Sequence, residues 1–507
     1  DCWKEECLTR FDGMFAFAFH DKQKSETCIA RDRMGIKPLY VGKNSSMLIF
    51  SSHYNHIIQH PDFYDNGIDT GALGNYLQLG FIPDNAGFKK NTFLFPHGHS
   101  ATITENDFII TQYASFNHGA TENKKELTED VVKKTVNSQL ISDVPVGVLF
   151  SGGVDSSLLA LWANENKPVK AFMIDTGNEK NAEVVQAPAF AASFGIGLHV
   201  GHTDNTGLHK LIDESFSAYS EPFADLSSIP TLQVCEAVSK HAKVVLSGDG
   251  PDELLYGYNR NIKIFENGHK FFKPVISKAG TYLYHKYILK NNTADARMLS
   301  ENNFSAYYYR MLFRYGSDAW VKKIFNEQPA VPYFLQSSFS MFGNYGEEEN
   351  YMDAVRYLEI HIHLQRVLLK LDRASMHHSI EARVPYLGNA VAEMCSSIPA
   401  SGCIKKGQGK YPLKRMLAEK YNSDYAFAKK RGFGVPVKTW IRTFLKNETE
   451  EKVMNMPGDL QHAFNKKQLQ KLLQEHVHEQ KDHSGIIWAL YALVKWYDIF
   501  NKPAHIS

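Results

Sequence analysis

The chain has 507 residues, a formal net charge of +1, 43% hydrophobic and 22% charged residues. That length allows two or three domains with sizeable cores, and the near-neutral balance gives no electrostatic case for nucleic acid or an anionic membrane as main partner. No apolar run is long enough to span a bilayer, no signal peptide is visible, and the six cysteines (Cys2, Cys7, Cys28, Cys235, Cys395, Cys403) lack paired metal spacing, so a cytoplasmic protein with reduced thiols is expected.

The chain opens at Asp1 without methionine and moves directly into strand-like material, which reads as a start inside a domain. Phe11 to Phe19, Thr27 to Ala30 and Met47 to Ser51 read as strands of a β-rich or layered domain, with a polar turn at Asp21 to Ser25. Ile68 to Leu79 reads as a helix, Ala101 to Thr104 as a strand, and the polar stretch Asn117 to Asn123 as a linker. The first domain is therefore expected over 1–115 and the second over 116–507.

In the second part strands and helices alternate. Val144 to Phe150, Val169 to Ile174, Leu198 to His202 and Ala242 to Ser247 read as strands, and helices are expected at Glu126 to Gln139, Val154 to Asn164, Ala182 to Phe194, Leu208 to Ala218 and Ser228 to His241. This order predicts an α/β domain whose parallel sheet is covered on both faces, with ligands beyond the carboxyl ends of its strands. Tyr258 to about Tyr351 reads as helical, with Tyr307 to Arg314 as packed core, and Val355 to Ser379 and Trp488 to Phe500 read as further helices.

The chemistry collects at the strand ends. Ser151-Gly-Gly-Val-Asp-Ser-Ser157 follows a buried strand and opens a helix. Two glycines let the backbone approach a ligand, and loop amides with a helix N-terminus make an anion site. No Gly-Lys-Ser/Thr follows, so this is not the Walker loop; it has the form of a pyrophosphate-binding loop. The bland alternative is a polar strand-to-helix turn. Ser247-Gly-Asp-Gly-Pro-Asp-Glu253 places three carboxylates after the fourth strand; Asp252 could join Asp155 on magnesium, leaving Asp249 for proton transfer. Its alternative is a solvated acidic turn.

Asp372, Arg373, Glu381 and Arg383 lie in apolar surroundings, where charges need partners or ligand; a buried ion-pair network and substrate contact are both open. Lys429 to Pro436 is a basic loop whose lysine could neutralise charge developing between phosphates. His361, His363, His377 and His378 lie on or near one helix, but His361 and His363 point to different faces, so no metal site is expected there.

Together these stretches resemble the glutamine-dependent asparagine synthetases. The matching motifs are Phe150 to Ser157, Ser247 to Tyr258, Lys370 to Met376, Glu381 to Leu387 and Lys430 to Pro436, with Phe11 to Phe19 and Arg31 to Tyr40 resembling the back half of the family's glutaminase domain. The resemblance implies a partial Ntn-type glutaminase domain of antiparallel sheets, then a parallel-sheet ATP-pyrophosphatase domain with a helical C-terminal part. It implies that ATP activates aspartate as an acyl-adenylate, releasing pyrophosphate, and that ammonia from glutamine then expels AMP. Asp249 falls at the base position and Lys430 at the phosphate lysine. Leu149, Ser151, Gly152, Gly153, Asp155, Ser156, Ile174, Ser247 and Gly248 fall at ATP or pyrophosphate positions, with Asp155 and Asp252 on Mg2+ and Asp372, Glu381 and Arg383 in substrate binding or its supporting network. A homodimer is implied by the resemblance alone.

Three departures bear on substrate and activity. The family's amino-terminal nucleophilic cysteine is not in this sequence: Cys2 is preceded by Asp1 and followed by Trp3, so the chain as written is expected not to hydrolyse glutamine. Ser51-Ser52-His53 stands where Ala-Ser-Glu is usual, and Gly388-Asn389 where aspartate often follows. An amidotransferase for another carboxylate, such as a sugar acid or a peptide, is therefore the competing expectation. A β-lactam synthetase fits less well, having tyrosine at the position of Asp249, and a catalytically dead scaffold is opposed by the intact loops.

Overall fold

The computed structural model describes residues 6–116, 127–175, 182–202, 207–271, 277–288, 290, 293–301, 303–326, 333–342, 348–428 and 435–503. Cys2, the stretch Asn117 to Asn123 and Lys430 lie outside the described residues. Among those described, no helix is long and apolar enough to cross a membrane.

The amino-terminal part is built on two antiparallel sheets. One has the order β1 (Ala16–Asp21), β2 (Glu26–Arg31), β6 (His99–Ile103), β7 (Phe108–Gln112); the other runs β4 (Leu48–Ser51), β3 (Tyr40–Lys43), β5 (Thr92–Leu94). Ala16 faces Arg31 and Asp21 faces Glu26, and the Asp21 carboxylate accepts the Gln23 amide at 2.9 Å to shape the turn between them. The expected helix over 68–79 begins at Thr70, because Asp69 caps it by accepting the Ala72 amide at 2.8 Å, and it ends at Gly80 with φ 81°.

The third sheet is wholly parallel, in the order β10 (Gly197–His202), β9 (Lys170–Asp175), β8 (Val146–Leu149), β11 (Val244–Leu246), β12 (Glu381–Arg383). Val148, Ala171, Phe172, Val245 and Leu246 are all buried, as expected where helices cover both faces. The fifth strand, β12, was not among the expected ones. Only three residues long, it has charged ends and comes from far along the chain, yet Glu381 pairs in register with Val244 and Arg383 with Leu246.

The remainder is helical. Tyr307, Tyr308 and Tyr309 are buried in the helix Phe304–Met311, as core packing predicts. The single helix expected over 355–379 is instead interrupted: a π-helical segment, Glu359–Leu364, joins Glu348–Leu358 to Gln365–His377. The last helix, Ser484–Phe500, packs into the amino-terminal part. Its Ala489 carbonyl accepts the Tyr76 hydroxyl at 2.8 Å, and Trp496 packs edge-on against Phe88 with centroids 4.8 Å apart. The two parts therefore share one hydrophobic core, which includes Tyr54, Leu73, Tyr76, Trp488 and Trp496.

Candidate active site

The carboxyl edge of the parallel sheet gathers the loops. After β8, Gly152 turns the chain with φ 79°, a conformation that favours glycine, and Gly153 leads into the helix Val154–Asn166. No side-chain cap is found at Gly153 among the described residues, and a helix start of this kind can present its amides to an anion. The loop is tied from within: Ser156 Oγ accepts the Ser151 amide at 3.2 Å and lies 3.1 Å from Ser151 Oγ, while Ser151 Oγ accepts the Gly153 amide at 3.3 Å. Leu149 ends β8, and Ile174 lies buried at the end of β9 beside it.

The second loop leaves β11 and presses on the first. A Cβ on Gly248 would lie 3.1 Å from the Ser156 nitrogen and 3.3 Å from the Asp155 carbonyl carbon, so the two backbones meet at a residue with no side chain. The Ser247 amide is anchored on the Arg383 carbonyl at 2.8 Å, and the Ser247 hydroxyl donates to Asp249 Oδ2 at 2.6 Å. Gly250, with φ 108°, turns the chain into the short helix Pro251–Leu254, which carries Asp252.

Asp155 and Asp252 come from different loops and converge on one cation that the sequence reading did not single out. Lys410 Nζ lies 2.5 Å from Asp155 Oδ2 and 2.8 Å from Asp252 Oδ1, with its side chain 4% exposed. Burial works against the charge, but the two carboxylates more than offset it and hold the ammonium more firmly protonated than an ordinary lysine. Lys410 adopts φ 54° ahead of the helix Tyr411–Lys420, and its amide donates to the Leu255 carbonyl at 3.0 Å. The sequence signal was slight: one lysine flanked by Gly409 and, two residues on, Pro412. Two carboxylates that meet one ammonium can also meet one metal ion, and hard oxygen donors of this kind suit magnesium.

The side chains of Asp372, Glu381 and Arg383 find their partners outside these loops. Asp372 accepts from Lys37 Nζ at 2.9 Å, and its neighbour Arg373 grips Glu221 through two hydrogen bonds of 3.1 and 3.0 Å while also donating to the Ser52 carbonyl at 2.8 Å. This network joins the Arg31–Tyr40 and Ser51–His53 stretches to the helix Gln365–His377. Glu381 lies level with Val146 and Val244, at the amino ends of the strands, and pairs with Arg383 at 2.6 Å. Arg383 Nη1 in turn donates to the Gln139 and Ile141 carbonyls at 2.6 and 2.7 Å. Gly388 likewise serves packing: a Cβ there would lie 2.5 Å from Thr135 Cγ2, and Asn389 donates through its amide to Asp12 Oδ1 at 2.9 Å.

The asparagine synthase family model matches residues 127–498, and a glutamine amidotransferase domain model matches 1–114. The chain is 29% identical over 513 residues to asparagine synthetase [glutamine-hydrolyzing] 1 of Bacillus subtilis, covering 98% of this chain and 79% of that protein. It is 27% identical over 530 residues to a putative asparagine synthetase [glutamine-hydrolyzing] of Mycobacterium tuberculosis, covering 98% and 78%. An amidase of Gibberella zeae, chry2, is 23% identical over 438 residues, covering 78% and 64%. With a family model matching residues 127–498 and an amidotransferase model matching 1–114, the chain belongs to the asparagine synthase family of ATP-dependent ligases.

Proposed function

We propose that this enzyme amidates the side chain of aspartate to give asparagine, through a β-aspartyl-AMP intermediate. The observation that carries the reading is the meeting of Asp155 and Asp252, from two loops, at one cationic point beside the glycine-bearing loop Ser151–Gly153. The aspartate carboxylate attacks the α-phosphorus of ATP and pyrophosphate leaves; ammonia then attacks the acyl carbon and AMP leaves. Ser151, Gly152, Gly153 and Ser156 hold the departing pyrophosphate through loop amides and hydroxyls, with Ser247 and Gly248 closing the other side. Leu149 and Ile174 flank the nucleoside. Asp155 and Asp252 would hold Mg2+, which when bound neutralises phosphate charge.

Asp249, oriented by the Ser247 hydroxyl, takes the proton released as ammonia attacks. Lys430 is assigned to the breaking phosphate bond by motif position, and Asp372, Glu381 and Arg383 to support. Glutamine is the ammonia source of the amidotransferase domain whose carboxyl-terminal half we place within 1–115, ahead of a synthetase part over 116–507. The protein is assigned to the cytoplasm, and a homodimer is the assembly expected.

The second reading, an acceptor carboxylate other than aspartate, draws on the likeness to the Gibberella amidase. The test supplies ATP, magnesium and ammonium with a panel of acids and measures AMP, pyrophosphate and amide. Equal AMP and asparagine from aspartate upholds the first reading. Inert aspartate with turnover of another acid moves the assignment to the second. Pyrophosphate release that survived Asp155→Asn would overturn the role given to Asp155.

A further inference from the structure

Three side chains with metal-ligand chemistry meet away from the carboxyl edge, and neither the proposed reaction nor the Arg373 network uses them. Glu214 stands near the end of the helix Leu208–Ala218, and His377 and His378 close the helix Gln365–His377. His377 Nε2 lies 3.2 Å from Glu214 Oε1, and the two imidazole rings sit 5.0 Å apart at 90°. One donor atom from each of the three residues lies within 4.8 Å of the other two. His378 Nε2 is buried and makes no hydrogen bond among the described residues, a costly state for an imidazole nitrogen.

We infer that Glu214, His377 and His378 form a site for one divalent transition metal of the zinc type, completed by water. Two imidazoles and one carboxylate with an open position match the donor set of three-ligand zinc sites. They also favour a borderline cation over magnesium, which takes oxygen donors. Tetrahedral zinc with bonds of about 2.1 Å needs neighbouring donors roughly 3.4 Å apart. The His377–Glu214 edge already has that size, at 3.2 Å. The remaining edges contract by rotation of side chains that are partly open to solvent. Glu236 adds negative potential from the helix Ser228–Ser239.

A metal here would tie together the two segments that carry the Arg373–Glu221 pair. Arg373 lies one turn before His377, and Glu221 follows shortly after the helix that bears Glu214. The cation would staple the helix carrying the Lys370–Met376 motif to the segment facing it.

The test titrates the whole chain with Co2+ in excess Mg2+, which occupies the hard-oxygen carboxylates, and follows visible ligand-field absorption. The expected result is one equivalent of tetrahedral or five-coordinate Co2+, displaced by Zn2+, with affinity falling at least about tenfold in His377→Ala and in Glu214→Gln. Zn2+ should also raise the unfolding temperature of the parent chain and not that of these variants. His377 and Glu214 are partly exposed, at 31% and 35% of their side chains, so neither substitution threatens the fold. The inference falls if ligand-field bands are absent, if they persist unchanged in the double variant, or if thiolate charge-transfer bands place the metal on cysteine.

Discussion

The Lys410 ammonium lies 2.5 Å from the Asp155 carboxylate and occupies the point where a phosphate-bound cation would be expected. It thereby keeps two carboxylates of different loops together before any ligand arrives. Replacing it with methionine would remove the buried ammonium that bridges Asp155 and Asp252. Lys410→Met is expected to cost about 3–5 kcal/mol, the scale for breaking a buried pair. Added Mg2+ should recover part of that loss, so the magnesium-induced rise in unfolding temperature should be larger in the variant than in the parent. An equal or smaller rise would mean that the ion does not bind at this point.

Asp249 accepts a hydrogen bond from Ser247, and asparagine in its place keeps that contact while losing the basic oxygen. If Asp249 acts in ammonia attack, Asp249→Asn should lower amide formation by about 10²–10⁴-fold. ATP–pyrophosphate exchange driven by the acid substrate should survive. Parallel loss of both half-reactions would place Asp249 in adenylation instead.

Much of this site can be read in the sequence, because its loops follow apolar runs that can only be buried strands. Leu208–Ala218 is found where its periodicity puts it, and the strands around Val146 and Lys170 are displaced by no more than two residues. Lys410 escapes notice because a lone lysine has no pattern; its meaning comes from a contact across 255 positions. β12 escapes because Glu-Ala-Arg is too short and too charged to resemble a strand, and the π-helical turn because a helix with one extra residue keeps its apolar stripe. Glu221 is invisible as the partner of Arg373 for the same reason as Lys410.

Asp84 is buried between Arg31 and His97, at 3.2 and 2.7 Å. Burial pushes its carboxyl up, but Arg31 first and then His97 hold it below the usual range. A depressed folded value contributes stability that is complete above the unfolded pKa of about 3.9 and is lost as pH falls through the folded one. Asp84→Asn should therefore cost about 3–5 kcal/mol at pH 7, and the gap from the parent should narrow below about pH 4. Urea unfolding at both pH values reads this directly, and a gap independent of pH would dismiss the ionic origin.

Arg373 meets Glu221 with a flat two-pronged grip, reaches the Ser52 carbonyl, and is 2% exposed. Lysine keeps the charge and loses the fork. Arg373→Lys should destabilise the chain by about 1–3 kcal/mol through polar atoms left unmatched. A neutral substitution, measured by chemical unfolding, would show that the joint between the two parts does not depend on this geometry.

The core shared by the helices Thr70–Leu79 and Ser484–Phe500 has a consequence for how the molecule is made. At about 5–20 residues per second, a ribosome needs roughly 20–80 s to travel from Leu79 to Ser484. Throughout that interval Tyr54, Leu73 and Tyr76 have been translated while the helix that covers them has not. The nascent amino-terminal part thus presents an uncovered apolar face for most of its synthesis, and early termination anywhere before the last helix would release a chain that cannot hide it.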